Sequence, residues 1–260
     1  MSGPSTETEP GIQPDGPEKW PGLFLARTQI QLSRGSGRIR TLSGQHASMK
    51  SKHREFILPE WFFASLRPPL KYLWRALFKI RFRNAEHIPR AGGLIIAANH
   101  QTYIDPFWLS IPIKRPLRFL AWDAAFDWLL VGKLIGLFGA WPLQIEGSDP
   151  AAIRRTLQWL RGGGAIVIFP EGGRGLADGS MLRFKGGAVR LALEAGVPIL
   201  PVTIRGAHRV WPAGRLVPRL SAVEVFYHPL FYVEQRSGEE TRACARRESD
   251  RLASIIKSAL

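Results

Sequence analysis

Apolar residues in this 260-residue chain change their spacing from one segment to the next. In the second half of the chain and just before it, they gather in short runs bounded by Gly, Pro and Asp. Residues 93–98 (GLIIAA), 117–122 (LRFLAW), 165–169 (AIVIF), 199–204 and 222–227 each read as a buried strand. Between these runs the period is helical. Residues 125–138 form a very apolar helical stretch. Asp149 is an N-cap followed by Pro150 at the first helical position, and the helix it opens runs to Arg161, where Gly162, Gly163 and Gly164 stop it. Residues 185–195 predict a helix ended by Gly196. Ser237 and Glu240 have the spacing of a capping box for a C-terminal helix. Strands alternating with helices predict an α/β fold with a mainly parallel or mixed sheet flanked by helices.

The first part of the chain is patterned differently. Residues 1–55 are rich in Gly, Pro, Ser and Thr and have few periodic apolar positions, so they cannot bury enough surface to offset their ordering entropy. They read as a disordered arm, with Met49 as an alternative start of translation. Residues 56–83 follow as an amphipathic helical segment, split by Pro68 and Pro69. After the split, Leu70, Leu73, Trp74, Leu77 and Phe78 fall on one face, and Lys71, Arg75, Lys79 and Arg83 recur every fourth residue on another. Such a helix suits a membrane interface. It also suits packing on the domain core with a solvated basic face. Residues 84–260 form the remaining domain.

Composition narrows the partners. With 45% hydrophobic and 22% charged residues the body is an ordinary globular chain. The net charge is +15, of which +12 lies beyond residue 56, and it calls for an acidic partner: nucleic acid, an anionic membrane surface or a phosphorylated substrate. A single cysteine, Cys244, leaves no internal disulfide framework and fits a reducing compartment. The longest stretch without Asp, Glu, Lys or Arg is residues 91–104, too short for a simple transmembrane helix of roughly 20 residues. The first residues lack the basic start and apolar core of a secretory signal.

The most promising chemistry sits after the first strand of the alternating region, where Asn99, His100, Gln101, Thr102, Tyr103, Ile104 and Asp105 follow the apolar run. Ligands of open α/β sheets bind at the carboxyl ends of strands. His100 can take a proton near neutral pH, and Asp105 can receive its other ring N–H if the turn folds back. No G-x-S-x-G elbow is present, so such a dyad would act directly on a substrate hydroxyl. The plainer alternative is an N-cap at Asp105, with Pro106 opening a helix and His100 a strand-end residue.

Further motifs reach a known family. The H-x-x-x-x-D spacing of His100 and Asp105 resembles the first motif of the glycerolipid acyltransferases, the 1-acylglycerol-3-phosphate acyltransferases and their relatives. Phe169 to Gly175 (FPEGGRG) looks like their F-P-E-G-T-R-S block, Phe184 to Ala188 (FKGGA) like F-K-x-G-A, and Val197 to Val202 (VPILPV) like V-P-I-x-P-V. The order and spacing of the set are far more specific than any one block. The resemblance implies that His100 is the general base on an acceptor hydroxyl, oriented by Asp105. That hydroxyl attacks the thioester of acyl-CoA or acyl-carrier protein, with no covalent acyl-enzyme. It further implies that Glu171, Gly172, Arg174 and Lys185 bind the acceptor, and that Pro198 and Pro201 belong to the acyl-donor region. Arg174 offers a bidentate fork for phosphate and Gly-rich backbone N–H groups an anion nest, whereas Glu171 would orient Arg174 or bind acceptor hydroxyls. For Gly172 and Gly173 the simpler reading is a tight turn with positive φ.

Two departures bear on the acceptor. Gly139 to Gln144 (GAWPLQ) follows the outline of the family's second block, yet Ile145 stands where its arginine would be. Gly173 and Gly175 replace a common Thr and Ser. Lysophosphatidic acid is the first expectation, and a lyso-ornithine lipid or glycolipid the alternative; Arg183, Lys185, Arg190 and Arg205 are candidates to compensate. A basic nucleic-acid or anionic-surface binding protein would explain the charge but not the ordered blocks, and no nucleic-acid module is visible. No metal site and no tightly held cofactor are expected, and nucleic acid is not an expected partner. The expected location is the cytoplasmic face of a membrane, held peripherally.

Overall fold

The computed structural model describes residues 59–123, 126, 135–136, 138–143, 149–212 and 218–260. The arm over residues 1–55, nearly all of the helix expected over 125–138, and Ile145 lie outside the described residues. Seven strands form one sheet: β1 (Arg81–Arg83), β2 (Leu94–Ala98), β3 (Leu117–Trp122), β4 (Ala140–Leu143), β5 (Ala165–Ile168), β6 (Ile199–Arg205) and β7 (Glu224–Tyr227). Their order across the sheet is β1-β7-β6-β2-β5-β3-β4. Strands β6, β2, β5, β3 and β4 are mutually parallel, while β7 runs antiparallel to β6 and β1 parallel to β7. The mixed α/β sheet is the one expected.

Strand β2 lies at the centre and is buried on both faces, which its unbroken LIIAA run requires. Leu94, Ile96 and Ala98 join a core with Phe78, Trp108, Val202 and Tyr227; Ile95 and Ala97 join a second core on the other face with Leu160, Val189, Leu252 and Ile256. Among the described residues run the helices α1 (Glu60–Phe78), α2 (Asp105–Ser110), α3 (Pro150–Arg161), α4 (Gly187–Ala195), α5 (Ala207–Val210) and α6 (Thr241–Lys257). Helices α1, α2 and α5 supply the first core, and α3, α4 and α6 the second. Asp149 caps α3 as expected, accepting from the Ala152 N–H at 2.9 Å, and Gly196 closes α4 at φ +68°.

Four local expectations are corrected. Pro68 and Pro69 do not split the N-terminal segment; both lie inside the single helix α1. A proline deletes an N–H donor but its fixed φ is already helical. The turns beyond are held by tertiary contacts, since Trp74 and Phe78 pack against Trp108 at ring separations of 6.3 and 5.6 Å. The helix ends at Phe78, with Lys79 left-handed at φ 45°, so Arg83 belongs to β1 rather than to the basic helical stripe. The expected apolar face also divides: Phe78 is buried, whereas Leu73 and Leu77 are exposed beside Tyr72. At the C-terminus, Ser237 and Glu240 form no capping box. Helix α6 starts after Glu240 without a side-chain cap, and Glu239 instead grips Arg247 through both carboxylate oxygens, at 2.9 and 2.8 Å. The fork-to-fork geometry of that pair outcompetes a single hydroxyl bond.

Strands β1 and β4, and helix α5, gave no recognisable signal. β1 has three residues and β4 contains a proline; each is defined by the strand beside it. Strand β1 has a topological consequence. Arg81 and Arg205 are both level with Glu224, so the end of α1 reaches the sheet edge at which the parallel strands terminate.

Candidate active site

Strands β2, β5 and β6 are adjacent and parallel, so the segments that leave them at 99–105, 169–186 and 206–211 converge on one edge. Asn99 fixes the first of these. Its buried side-chain amide donates to the Ile204 carbonyl at 2.9 Å and accepts from the Ile204 N–H at 2.7 Å, extending the ladder to β6 by one side chain.

The turn then folds back, as the dyad requires. His100 Nδ1 lies 3.0 Å from Asp105 Oδ2. Asp105 is fully buried, and the same oxygen accepts from the Gln101 and Thr102 backbone N–H groups; Oδ1 accepts from the Thr102 hydroxyl at 2.7 Å. Four donors therefore hold one buried carboxylate in place. The N-cap alternative is partly realised as well, since Asp105 is the first residue of α2 with Pro106 behind it, and Ile104 is the N-cap. Both roles use the same turn. Because Nδ1–H faces the carboxylate, Nε2 carries the lone pair of a neutral imidazole. The ring is stacked on Phe169 at 4.1 Å and an interplanar angle of 23°, which leaves it little rotational freedom.

Glu171 serves the site differently from the expectation. It is buried, and its oxygens accept from the His100 N–H at 2.8 Å and the Leu182 N–H at 2.6 Å. It thus ties the base of the 171–182 loop to the dyad turn. Burial pushes its carboxyl above the usual range, and the two backbone donors oppose that shift. Gly175 closes the same junction. Its N–H donates to the His100 carbonyl at 2.6 Å, and a Cβ there would stand 2.7 Å from the Ser180 carbonyl oxygen, so no side chain fits. The serine common at this position in the family would need a displaced loop. Gly172 has the positive φ expected, +70°, but Gly173 does not share it.

The basic residues divide into two groups. The Arg174 guanidinium lies 4.3 Å from the centre of the Tyr103 ring, on the rim of the dyad turn. Lys185 folds over the loop, with Nζ 2.6 Å from where a Gly172 Cβ would stand, and its backbone N–H donates to Pro170. Arg205 instead pairs with Glu224 and stacks on Phe226 at 4.9 Å, while Arg183 and Arg190 are exposed. Pro198 and Pro201 are not brought to the dyad. Pro198 precedes β6 at its amino end, where its carbonyl accepts from Ile95, and Pro201 sits within the strand. Their places follow from parallel pairing with β2, which puts the start of β6 at the opposite edge from His100.

Several contributors were not legible in advance. Phe169, Thr102 and Tyr103 were part of the motifs but gave no sign of their partners. Buried Arg115 donates to the Pro89, Gly92 and Gly163 carbonyls and so fastens the turns at the amino ends of β2 and β5. His208 of α5 packs against the 171–182 loop, and burial, then the neighbouring Arg209, lowers its pKa. Among the described residues no group of three or more His, Cys, Asp or Glu is placed to hold a metal.

A histidine–aspartate dyad thus stands on a buried turn at the carboxyl edge of a mixed α/β sheet, beside a Gly-rich loop that carries Arg174 and Lys185. Residues 79–205 match the family model described as Acyltransferase, and the chain is similar to 1-acyl-sn-glycerol-3-phosphate acyltransferases. It is 26% identical over 170 residues to the chloroplastic 1-acyl-sn-glycerol-3-phosphate acyltransferase LPAT1 of Arabidopsis thaliana, covering 64% of this chain and 44% of that one. With the 1-acyl-sn-glycerol-3-phosphate acyltransferase of Borreliella burgdorferi it shares 29% identity over 198 residues, 75% of this chain and 76% of the relative. The crystal structure of the 1-acyl-sn-glycerophosphate acyltransferase PlsC from Thermotoga maritima has the same fold, with a TM-score of 0.59 at 22% identity over 79% of this chain and 84% of that one. The chain spans less than half the length of the Arabidopsis protein.

Proposed function

We propose that the protein transfers a fatty acyl group from acyl-CoA or acyl-carrier protein to the free hydroxyl of a lysolipid, with 1-acylglycerol-3-phosphate as acceptor and phosphatidic acid as product. The carrying observation is the His100 Nδ1–Asp105 contact of 3.0 Å. With Asp105 on Nδ1, Nε2 removes the hydroxyl proton as the oxygen attacks the thioester carbonyl. The tetrahedral intermediate collapses, the C–S bond breaks, and the imidazolium returns the proton to the thiolate. No acyl-enzyme forms. Arg174 and Lys185, on either side of the Gly172 turn, supply charge for the acceptor phosphate. The names of the Arabidopsis and Borreliella relatives support this acceptor.

A second reading of the acceptor has one observation behind it: the loop has glycines at 173 and 175, where the family commonly has hydroxyl side chains. A lyso-ornithine lipid or a glycolipid would need fewer phosphate donors. The acceptor reaches the site from an anionic membrane surface. Exposed Trp61, Tyr72, Leu73 and Leu77 of α1, with Arg75 and Lys79 among them, provide the docking side, at the cytoplasmic face of the membrane. Among the described residues no helix is long and apolar enough to cross a membrane.

Purified full-length protein should be assayed with a panel of lysolipids and both donor types. Acylation of lysophosphatidic acid by the wild type and not by His100→Ala is expected. Absence of transfer to every lysolipid from either donor would overturn the reading.

A further inference from the structure

Gln101 follows the catalytic histidine, and its side chain takes no part in the dyad. It is more than nine-tenths buried, and both ends of its amide are used. Nε2 donates to the Gly179 carbonyl at 3.0 Å, and Oε1 accepts from the His208 backbone N–H at 3.2 Å. Gly179 is the tip of the 171–182 loop. It has φ +89°, and a Cβ there would lie 2.4 Å from Nδ1 of the His208 ring, so the tip rests directly on α5. The base of the loop is held separately, by Glu171 across His100 and Leu182 and by Gly175 on the His100 carbonyl. Arg174 lies between the Glu171 and Gly175 anchors, next to the stretch that leads to the tip, with its guanidinium over Tyr103. A loop pinned only at its base would pivot about that junction, and the movement would load the Gly175 anchor, the immediate neighbour of Arg174.

We propose that Gln101 is a positioning residue for acceptor binding: its side chain latches the loop tip to α5 and thereby sets the height of Arg174 above the dyad. The proposal rests on acyl transfer to a phosphate-bearing acceptor for its kinetic consequence, but not for its structural one. The latch is made by a donor and an acceptor on one amide, so Gln101→Met removes both bonds at nearly constant volume. Gln101→Glu keeps an acceptor for His208 and loses the donor to Gly179.

Hydrogen exchange on the full chain tests the latch without substrate. In both variants, amides of residues 172–182 should exchange about fivefold faster or more, while those of β5 and α4 keep their wild-type protection. Kinetics then test the consequence. The acceptor KM should rise about tenfold, as expected for a lost hydrogen bond to a positioned group, with a smaller fall in kcat and no change in the pH dependence of kcat. In an Arg174→Ala background the same Gln101→Met change should move KM by about twofold or less, because the residue it positions is gone. Unchanged exchange in 172–182 would overturn the latch, whatever the acceptor. Faster exchange with KM effects that multiply independently of Arg174→Ala would overturn the link to Arg174. A wild type that acylates no lysolipid would refute the acyl-transfer reading instead, and the exchange result would still decide the latch.

Discussion

At the scale of single residues, the site depends on a few groups that each do two things. Asp105 orients His100 and caps its own turn through the Gln101 and Thr102 N–H groups. Removing the base should therefore be cleaner than removing the carboxylate. His100→Ala is expected to lower kcat by about 100-fold or more at nearly unchanged stability, since a positioned general base contributes roughly 10²–10⁴-fold. Asp105→Asn should cost nearly as much activity and also lower the melting temperature, because the amide cannot accept from all four donors. Kinetics and melting curves of both variants check this, and a folded His100→Ala protein with full activity would refute the mechanism. Arg174→Ala should raise KM for lysophosphatidic acid while leaving an uncharged acceptor nearly untouched. An unchanged KM for lysophosphatidic acid would remove Arg174 from phosphate binding.

Individual elements show where local signals compete. Helix α6 is started by the Glu239–Arg247 pair rather than by Ser237, and this can be read from stability against pH. Hydrogen bonds from Arg247 chiefly, and from the Arg236 N–H, hold the Glu239 carboxyl at about 2, below its ordinary 4.5. A depressed carboxyl contributes stability that is complete above its unfolded value and is lost as pH falls toward the folded one. The melting temperature should thus fall between about pH 4.5 and pH 2, and Glu239→Gln should flatten part of that fall. Ser237→Ala should leave the curve unchanged. Glu171 works in the opposite sense. Its raised carboxyl favours the protonated form in the fold, so its contribution is complete below the unfolded value and declines as pH rises through the folded one. Glu171→Gln should remove that decline with rising pH, yet it also places an amide N–H₂ against one of two backbone donors and should loosen the loop.

For the whole molecule, the decisive feature is that the C-terminal end of α1 and the site loops lie at one edge of the sheet. Trp74 and Phe78 dock α1 on the core, while Trp61, Tyr72, Leu73 and Leu77 remain exposed. Each basic residue near an anionic surface is worth about 1 kcal/mol, screened within a Debye length. Binding to vesicles rich in anionic lipid should therefore weaken from low to high salt and level off at an aromatic remainder. Replacing Arg75 and Lys79 by Gln should remove much of the salt-dependent part and spare activity on detergent-dispersed acceptor. Co-sedimentation across a salt series measures it; equal binding by both proteins at low salt would show that this helix is not the electrostatic anchor.

What the chain determined by itself is whatever depends on neighbours in sequence. The buried run LIIAA, the Asp149-Pro150 start and Gly196 stop, and the five-residue return from His100 to Asp105 are local patterns, so they were legible without coordinates. Pairing across the sheet decided the rest. The three residues of β1 become a strand because β7 is beside them, and α1 runs through two prolines because Trp108 waits at its end. The amide of Gln101 reaches Gly179, 78 residues away, and Glu171 reaches back 71 residues to His100. A side chain's type states what it can bond, but only the packed sheet decides which distant backbone comes within reach, since one hydrogen bond cannot by itself repay the closure of a long loop.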